Sequence, residues 1–209
     1  MEDITHRELN QGIRDFFDAR AADWDAEHSR VSSERLAEIV QQLQMAPGSH
    51  VLDVGAGTGV LVPLLTPLVG PDGLIVAIDL SGKMLLQAGC RGKGLGLECV
   101  QSDVLDLPFL GNHFDWAVCN SCFPHFVDQQ RSLIELARTL KPGGRILVCH
   151  TMSRNAINAF HDDLDGTVGG DTLPDDATMW RLVSVAGMRV LELSDTPDRY
   201  VMIAEKVKT

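Results

Sequence analysis

The residues best placed to bind a ligand form a short glycine-rich run, Asp53-Val54-Gly55-Ala56-Gly57-Thr58-Gly59. Glycine lets the backbone approach a ligand closely and present its amide groups to it. Asp79 ends the next apolar run, twenty residues beyond Gly59, a separation that matches one strand–helix–strand unit. Its carboxylate is therefore expected beside the glycine loop, where it can bind both hydroxyls of a ribose.

Two details of this loop separate the possible ligands. Dinucleotide sites are typified by G-x-G-x-x-G, whose third glycine lies where the helix packs against the strand. Here Val60 occupies that position, and the glycines follow the spacing G-x-G-x-G. Asp53 precedes the loop, and a carboxylate is unfavourable beside a pyrophosphate but suits an ammonium group. The residues thus predict a nucleoside that carries an ammonium group rather than phosphates.

A second group of reactive side chains follows the fourth predicted strand, in the run Cys119–Phe126. Functional side chains of doubly wound sheets gather beyond the carboxyl ends of the strands. His125 in this run is the first candidate for a general base or a substrate-orienting group. His150 and His161 are the second candidates. The alternative for His125 is a structural role, as a capping or fully hydrogen-bonded histidine.

The same run contains a possible metal-binding pattern, Cys119-x-x-Cys122-x-x-His125. Two thiols and an imidazole suit zinc or another soft ion. However, a second C-x-x-C is absent, and Cys119 is expected to end a buried strand, where cysteine behaves as a small apolar residue. We therefore expect no metal and keep these three residues only as the alternative.

The elements that must position these residues alternate along the chain. A helix is predicted over 32–45, capped by Ser32 or Ser33, because apolar residues recur there at helical spacing. Five apolar runs then alternate with further helical patterns, which is typical of a parallel sheet covered on both faces. These runs are 50–54, 74–78, 97–100, 114–119 and 145–150.

The last two predicted strands, 188–193 and 199–205, lie close together in the chain. Only five residues separate them. A parallel crossover needs a dozen or more residues, so these strands are expected to form an antiparallel hairpin. The predicted sheet is therefore mostly parallel and ends in an antiparallel strand.

Length and charge limit the function classes. The 209 residues, 44% of them apolar, predict one globular domain spanning 1–209. Eighteen basic residues against 29 acidic ones give a net charge of -11, which disfavours nucleic acid and anionic lipid as partners. The five cysteines are an odd number; with no signal-peptide pattern and no long apolar run, they favour the cytoplasm.

In their order and spacing, four motifs resemble those of the class I S-adenosylmethionine-dependent methyltransferases, over about residues 14–205. They are the glycine loop at 53–59, Ile78-Asp79-Leu80-Ser81 with Met84, Ser102–Phe109 before Phe114-Asp115, and Leu140–Gly144 before the fifth strand. The resemblance implies an α/β, Rossmann-like doubly wound sheet of seven strands. It also implies S-adenosyl-L-methionine as the cofactor.

The resemblance assigns roles at the methionine and ribose end of the cofactor. Asp53, directly or through a water, and the backbone near Gly55 would hold the methionine moiety. Asn120, at the tip of the fourth strand, would face the same end. Asp79 would bind the ribose hydroxyls.

At the adenine end, Leu80 and Met84 would pack on the base, unless they are ordinary core residues. Asp103 would accept from the adenine amino group, and Val104 would give a backbone contact. The complete set of cofactor residues that the resemblance implies is Asp53, Gly55, Ala56, Gly57, Gly59, Asp79, Leu80, Met84, Asp103, Val104 and Asn120.

Two segments are expected to cover the acceptor. Residues 1–45 form an N-terminal helical cap, and Phe16–Asp25 within it is similar to the N-terminal helix of ubiquinone/menaquinone-type methyltransferases. There aromatic residues close over cofactor and substrate, a role that would fall to Phe17 and Trp24. Packing of one helix face on the domain is the alternative. Residues 151–175, with Arg154, are expected to be an irregular substrate-covering insertion.

The resemblance implies transfer of a methyl group from the cofactor to a small-molecule acceptor by in-line displacement. Two other readings stay open: a nicotinamide-dependent oxidoreductase, and a non-catalytic module that binds a metal or a cofactor. The expected partner is a small molecule, without nucleic acid and without insertion into a membrane. The chain is expected to be a monomer or a homodimer. Carbon, nitrogen, oxygen, sulfur and metalloid acceptors all stay open, and the likeness to ubiquinone-type enzymes favours carbon or a small aromatic acceptor.

Overall fold

The computed structural model describes residues 2–27, 30–164 and 166–208. Within these ranges seven strands form one sheet: β1 (His50–Val54), β2 (Leu74–Asp79), β3 (Leu97–Gln101), β4 (Phe114–Asn120), β5 (Leu140–His150), β6 (Met188–Thr196) and β7 (Arg199–Lys206). Their order is β3-β2-β1-β4-β5-β7-β6. The first five strands pair in parallel, and β7 is antiparallel to both its neighbours. The predicted sheet and its C-terminal hairpin are confirmed.

Helices connect most of the strands. The described helices are α1 (Glu2–Arg20), α2 (Arg30–Gln41), α3 (Val62–Val69), α4 (Gly82–Arg91), α5 (Gln129–Thr139), α6 (Arg154–Asp162) and α7 (Asp176–Val185). Two short 3-10 turns lie at Trp24–Glu27 and Phe123–His125. Among the helices that the structure describes, none combines the length and the apolar content needed to cross a bilayer.

Apolar side chains are buried on both faces of the sheet. Leu36 and Val40 of α2 pack with Val51 of β1 and Trp116 of β4 in one cluster. On the opposite face, helices α5 and α7 pack in a second cluster that includes Leu52. Burial on two faces explains why the central strands are continuous apolar runs. The strand β3 lies at the edge of the sheet and is largely exposed.

The structure corrects two local predictions. Helix α2 begins at Arg30 and ends at Gln41, so Ser32 and Ser33 lie inside the helix and do not cap it. The spacing of the apolar residues predicted which face of the helix is buried. It did not predict the residue at which the helix begins, since serine is tolerated within a helix. The strand β5 begins at Leu140, earlier than the predicted residue 145, because Leu140 already pairs with Phe114 of β4, before a register shift in the ladder.

The segment 151–175 is not irregular throughout. It contains helix α6, whose buried residues are Ile157 and His161. Ser153 caps this helix by accepting a hydrogen bond from the Ala156 amide. The sequence pattern missed α6 because two buried residues in nine make a weak apolar stripe.

Candidate active site

A cleft opens beyond the carboxyl ends of β1, β2 and β4 and is covered by α1. It encloses about 960 Å³, including the open space at its mouth. Nine of the eleven predicted cofactor residues line it: Gly55, Ala56, Gly57, Asp79, Leu80, Met84, Asp103, Val104 and Asn120. The candidates Phe17, Trp24 and His125 line it too.

The three glycines of the loop serve two different purposes. Each has a positive φ, between 54° and 79°. A Cβ on Gly55 would come within 2.6 Å of the Cys122 side chain, and one on Gly59 within 2.9 Å of the Ala88 backbone. A Cβ on Gly57 would meet no protein atom within 4 Å. Gly55 and Gly59 therefore allow close packing, whereas Gly57 leaves space free inside the cleft.

Asp79 ties the glycine loop to the end of β2. Its Oδ2 accepts from the Gly57 amide at 2.9 Å, and its Oδ1 accepts from the Ser81 amide at 2.8 Å. Burial raises the pKa of this carboxyl, and the two amide hydrogen bonds oppose that rise. Each carboxylate oxygen can accept more than one hydrogen bond. Asp79 can therefore hold the loop and still accept hydrogen bonds from the hydroxyl groups of a ligand.

Asp53 lies behind the loop and does not line the cleft. Burial, followed by the nearby charge of Asp79, raises the pKa of Asp53 to about 8. The buried Oδ2 of Asp53 has no hydrogen-bond partner in the described structure. A buried carboxyl of this kind is stabilised in its charged form by a cation, so it suits a ligand with an ammonium group.

At the far end of the cleft, Asp103 is held by two donors. Its Oδ2 accepts from the Asn10 side chain on α1, and its Oδ1 accepts from the Leu105 amide at 2.9 Å. Met84 is fully buried there and still borders the cleft. Asn10 is a cleft residue that the sequence did not indicate, because its partner lies 93 positions away.

Within the predicted N-terminal cap, α1 and the turn at Trp24–Glu27 border the cleft, whereas α2 packs on the sheet. Phe17 packs edge-on against Trp24, with ring centroids 5.4 Å apart. Asp18 accepts a hydrogen bond from the Ser81 hydroxyl at the start of α4. Asp25 accepts from the Thr58 hydroxyl at 2.6 Å, immediately beside the glycine loop. Side chains of the cap are thus fastened to the two elements that build the nucleoside end of the cleft.

His125 stands opposite the glycine loop and is ordered by its neighbours. Its Nδ1 lies 2.7 Å from Oδ2 of Asp171. Its ring packs edge-on against Phe17, with centroids 5.4 Å apart. His161 lies behind it, with ring centroids 4.9 Å apart. His161 does not line the cleft, and its Nδ1 donates to the backbone oxygen of Asp171 at 2.8 Å.

The other predicted reactive residues lie outside the cleft lining. His150 is buried, and burial lowers its pKa to about 3. Arg154 instead forms ion pairs with Asp176 and Asp195, which join α6 to α7 and β6. The structure thus brings His125 to the cleft but not His150, His161 or Arg154.

The cysteine–histidine pattern does not form a metal cluster here. Cys119 and Cys122 are both buried. The Cys122 thiol donates to the Val54 backbone oxygen at 3.0 Å, and burial raises its pKa well above the usual value. Within the described ranges, no three His, Cys, Asp or Glu side chains come together in a way that could hold a metal ion.

Comparisons with known proteins agree on one family. A model of the methyltransferase domain matches residues 52–148. A demethylmenaquinone methyltransferase from Symbiobacterium thermophilum is 34% identical over 67% of this chain and 59% of its own length. The chain belongs to the class I S-adenosylmethionine-dependent methyltransferases. The ubiquinone/menaquinone biosynthesis C-methyltransferase UbiE from Pseudomonas fluorescens is 38% identical over 48% of this chain and 41% of its own.

The fold comparison agrees with the observed architecture. A SAM-dependent methyltransferase structure from Aquifex aeolicus superposes with a TM-score of 0.71 at 21% identity, covering 90% of this chain and 98% of that one. At this identity the likeness shows the fold alone. The chain also spans less than two thirds of the length of the two curated relatives.

The cofactor of this family, S-adenosylmethionine, fits the residues of the cleft. Gly57 leaves open space where a nucleoside would pass the loop, and Asp79 offers a carboxylate beside it. The unpaired, buried oxygen of Asp53 suits a ligand that brings positive charge.

Proposed function

We propose that this protein transfers a methyl group from S-adenosylmethionine to a small hydroxylated aromatic acceptor, at a ring carbon. One observation carries the proposal: a single cleft extends from the glycine loop and Asp79 to an aromatic chamber. Phe17, Trp24 and His125 line this chamber. The names of the two curated relatives, both quinone methyltransferases, support a hydroquinone as the acceptor. The proposed roles of the other cleft residues depend on the position of each residue along this cleft.

The chain's own residues would bind, align and shield the reactants. When bound, the cofactor supplies a methyl group on a sulfonium; the methyl–sulfur bond breaks as the new bond to the acceptor forms, and the electron pair leaves on sulfur. Alignment and exclusion of water are then the main demands on the protein. Asp79 and the loop amides fix one reactant, and Phe17 and Trp24 shield the other from solvent.

Protons must also move on a hydroxylated aromatic acceptor: the O–H bond breaks first, and after the methyl group has bonded to the ring carbon, that carbon loses its own hydrogen as a proton and the oxygen regains one. Deprotonating the hydroxyl group pushes electrons into the ring, which makes the neighbouring carbon a better nucleophile. His125 borders the cleft and is the group that we propose as the base. His150 and His161 lie outside the lining and are not proposed to touch the acceptor.

The decisive experiment supplies cofactor and acceptor to the purified protein. We expect S-adenosylmethionine and reduced demethylmenaquinone to give S-adenosylhomocysteine and a ring-methylated product, detected by mass spectrometry. The oxidised quinone, which has no hydroxyl group, is the matched control and should remain unmethylated. Binding of S-adenosylhomocysteine without methylation of any hydroquinone would refute the acceptor class.

Two results would refute the family-level activity itself. If calorimetry detects no binding of S-adenosylhomocysteine to the folded protein, S-adenosylmethionine is not its cofactor. Tight binding of NADH in its place would favour an oxidoreductase. We further propose a cytoplasmic location, on the grounds of the odd number of cysteines, and a monomer or a homodimer as the assembly.

A further inference from the structure

The segment that follows α6 ends in a tightly fastened loop at residues 171–173. Asn158 of α6 makes two hydrogen bonds to the backbone of Leu173, one to its amide at 2.8 Å and one to its oxygen at 3.1 Å. Gln129 of α5 donates to the Thr172 oxygen at 3.0 Å. With the bond from His161 to the backbone of Asp171, three side chains from two helices fix this loop.

The fastening directs the Asp171 side chain at one atom of His125. Oδ2 of Asp171 and Nδ1 of His125 are 2.7 Å apart, and both side chains are largely buried. A carboxylate oxygen can only accept, so the hydrogen lies on Nδ1. Nε2 of the neutral ring then carries the free electron pair. No hydrogen bond from the described residues engages Nε2.

We propose that Asp171 is a positioning residue that holds His125 in the Nδ1–H form and aims Nε2 at the acceptor. The inference rests on the proposed function and deepens it, since it gives 151–175 a role other than covering the substrate. The segment instead delivers a carboxylate to a histidine that follows β4, 46 positions earlier in the chain.

The proton transfer that this arrangement supports is simple. The O–H bond of the acceptor breaks, an N–H bond forms at Nε2 of His125, and the electron pair stays on the acceptor. The carboxylate of Asp171 stabilises the positive ring that results. The acceptor must therefore carry an acidic O–H group conjugated to the attacking atom, as a hydroquinone or a phenol does, and not a tertiary amine.

Other titratable groups near His125 do not replace Asp171. His161 faces the same ring, but burial lowers its pKa and its Nδ1 already donates to a backbone oxygen. His150 lies deeper, and burial keeps it neutral. Asp79 lies across the cleft and accepts from the glycine loop. Among the described residues, the Asp171 carboxylate is the group hydrogen-bonded to the His125 ring.

The first test reads the position of the hydrogen directly. In ¹⁵N-histidine-labelled protein, long-range ¹H–¹⁵N spectra at a pH where His125 is neutral should show the hydrogen on Nδ1. The His125→Gln variant identifies the signals. In Asp171→Asn the side-chain amide can donate to Nδ1, so the hydrogen should move to Nε2. Asp163→Asn changes an exposed carboxylate of the same segment and should leave the spectrum unchanged.

The second test measures catalysis with reduced demethylmenaquinone. Asp171→Asn should lower kcat about 10- to 100-fold, part of the usual contribution of a general base, and leave the Kd for S-adenosylhomocysteine unchanged. Asp171→Glu, which restores a carboxylate, should recover part of the rate, and Asp163→Asn should match the wild type. An unchanged hydrogen position or an unchanged kcat in Asp171→Asn overturns the proposal.

A failure of the proposed function would give different results from a failure of the inference about Asp171. A wild-type protein that binds S-adenosylhomocysteine but methylates no hydroquinone would refute the acceptor class. The spectra would still decide whether Asp171 sets the tautomer of His125, because they require no turnover.

Discussion

The two ends of the cleft are built in different ways. At the nucleoside end, the glycine loop and Asp79 are joined through the Gly57 amide, and these two partners are only 22 positions apart. At the acceptor end, His125 meets Phe17 and Asp171, which lie on opposite sides of it in the sequence by about 108 and 46 positions. The first end is mainly backbone, and the second is a network of side chains.

The difference teaches where specificity resides. Backbone amides and glycine space fit any ligand of the same shape, so many proteins of one family can share the nucleoside end. What a side-chain network binds depends on the identity of each residue in the network. The acceptor end is therefore expected to determine which molecule is methylated, and the two ends should respond differently to mutation.

The largest expected effect is at Gly57. Replacing it with valine fills the open space beside Asp79 and should abolish binding of S-adenosylhomocysteine in calorimetry, with the circular dichroism spectrum intact. Gly48→Val is the matched control, since Gly48 also has a positive φ and no protein atom near its Cβ but lies outside the cleft. If both variants lose binding to the same extent, backbone strain rather than the lost space explains the loss of binding in Gly57→Val.

Asp79→Ala should have the next largest effect. It removes the carboxylate that holds the loop and that we expect to bind the ribose, which should weaken S-adenosylhomocysteine by about 1.5–3 kcal/mol, the usual range for hydrogen bonds to a charge. Asp72→Ala, which removes an exposed carboxylate before β2, is the control. An unchanged Kd in Asp79→Ala would exclude the ribose role.

Asn158→Ala tests the acceptor end without touching the cleft. It deletes two hydrogen bonds to Leu173, and should lower the free energy of unfolding by about 1–3 kcal/mol. Because the loop that carries Asp171 is loosened, kcat should fall several-fold while cofactor affinity is unchanged. A fall in affinity equal to the fall in kcat would mean that the two ends of the cleft are not independent.

A smaller effect is expected from pH at Asp53. Burial raises its pKa from 3.8 to about 8, so the folded protein binds a proton there that the unfolded chain releases above pH 4. The contribution of this group to stability therefore falls as pH rises from about 4 to about 8. Asp53→Asn should be stabilised relative to wild type more at pH 8 than at pH 5, as thermal unfolding would reveal.

The same shift predicts a proton released on binding. If the ammonium group of the cofactor favours ionised Asp53, S-adenosylhomocysteine should bind a few-fold more tightly at pH 8 than at pH 7. Calorimetry in two buffers of different ionisation enthalpy would measure the proton. Binding without proton release in the wild type would place the ammonium group away from Asp53.

The sequence predicted what depends on short stretches of chain. The strands, the C-terminal hairpin and the glycine loop with Asp79 follow from local periodicity and spacing. Helix α6 was missed because its buried face is sparse. Asn10 and Asp171 were missed for another reason: each acts through a partner far away in the sequence, and no local pattern encodes such a contact.

The position of β7 has a consequence for how the chain acquires its structure. This strand lies between β5 and β6, so the edge of β5 is covered only when residues 199–206 have been synthesised. Until then, β5 presents unpaired amide and carbonyl groups to other molecules. Chains truncated before β7 should therefore expose this edge of β5 and aggregate more readily than the longer chain.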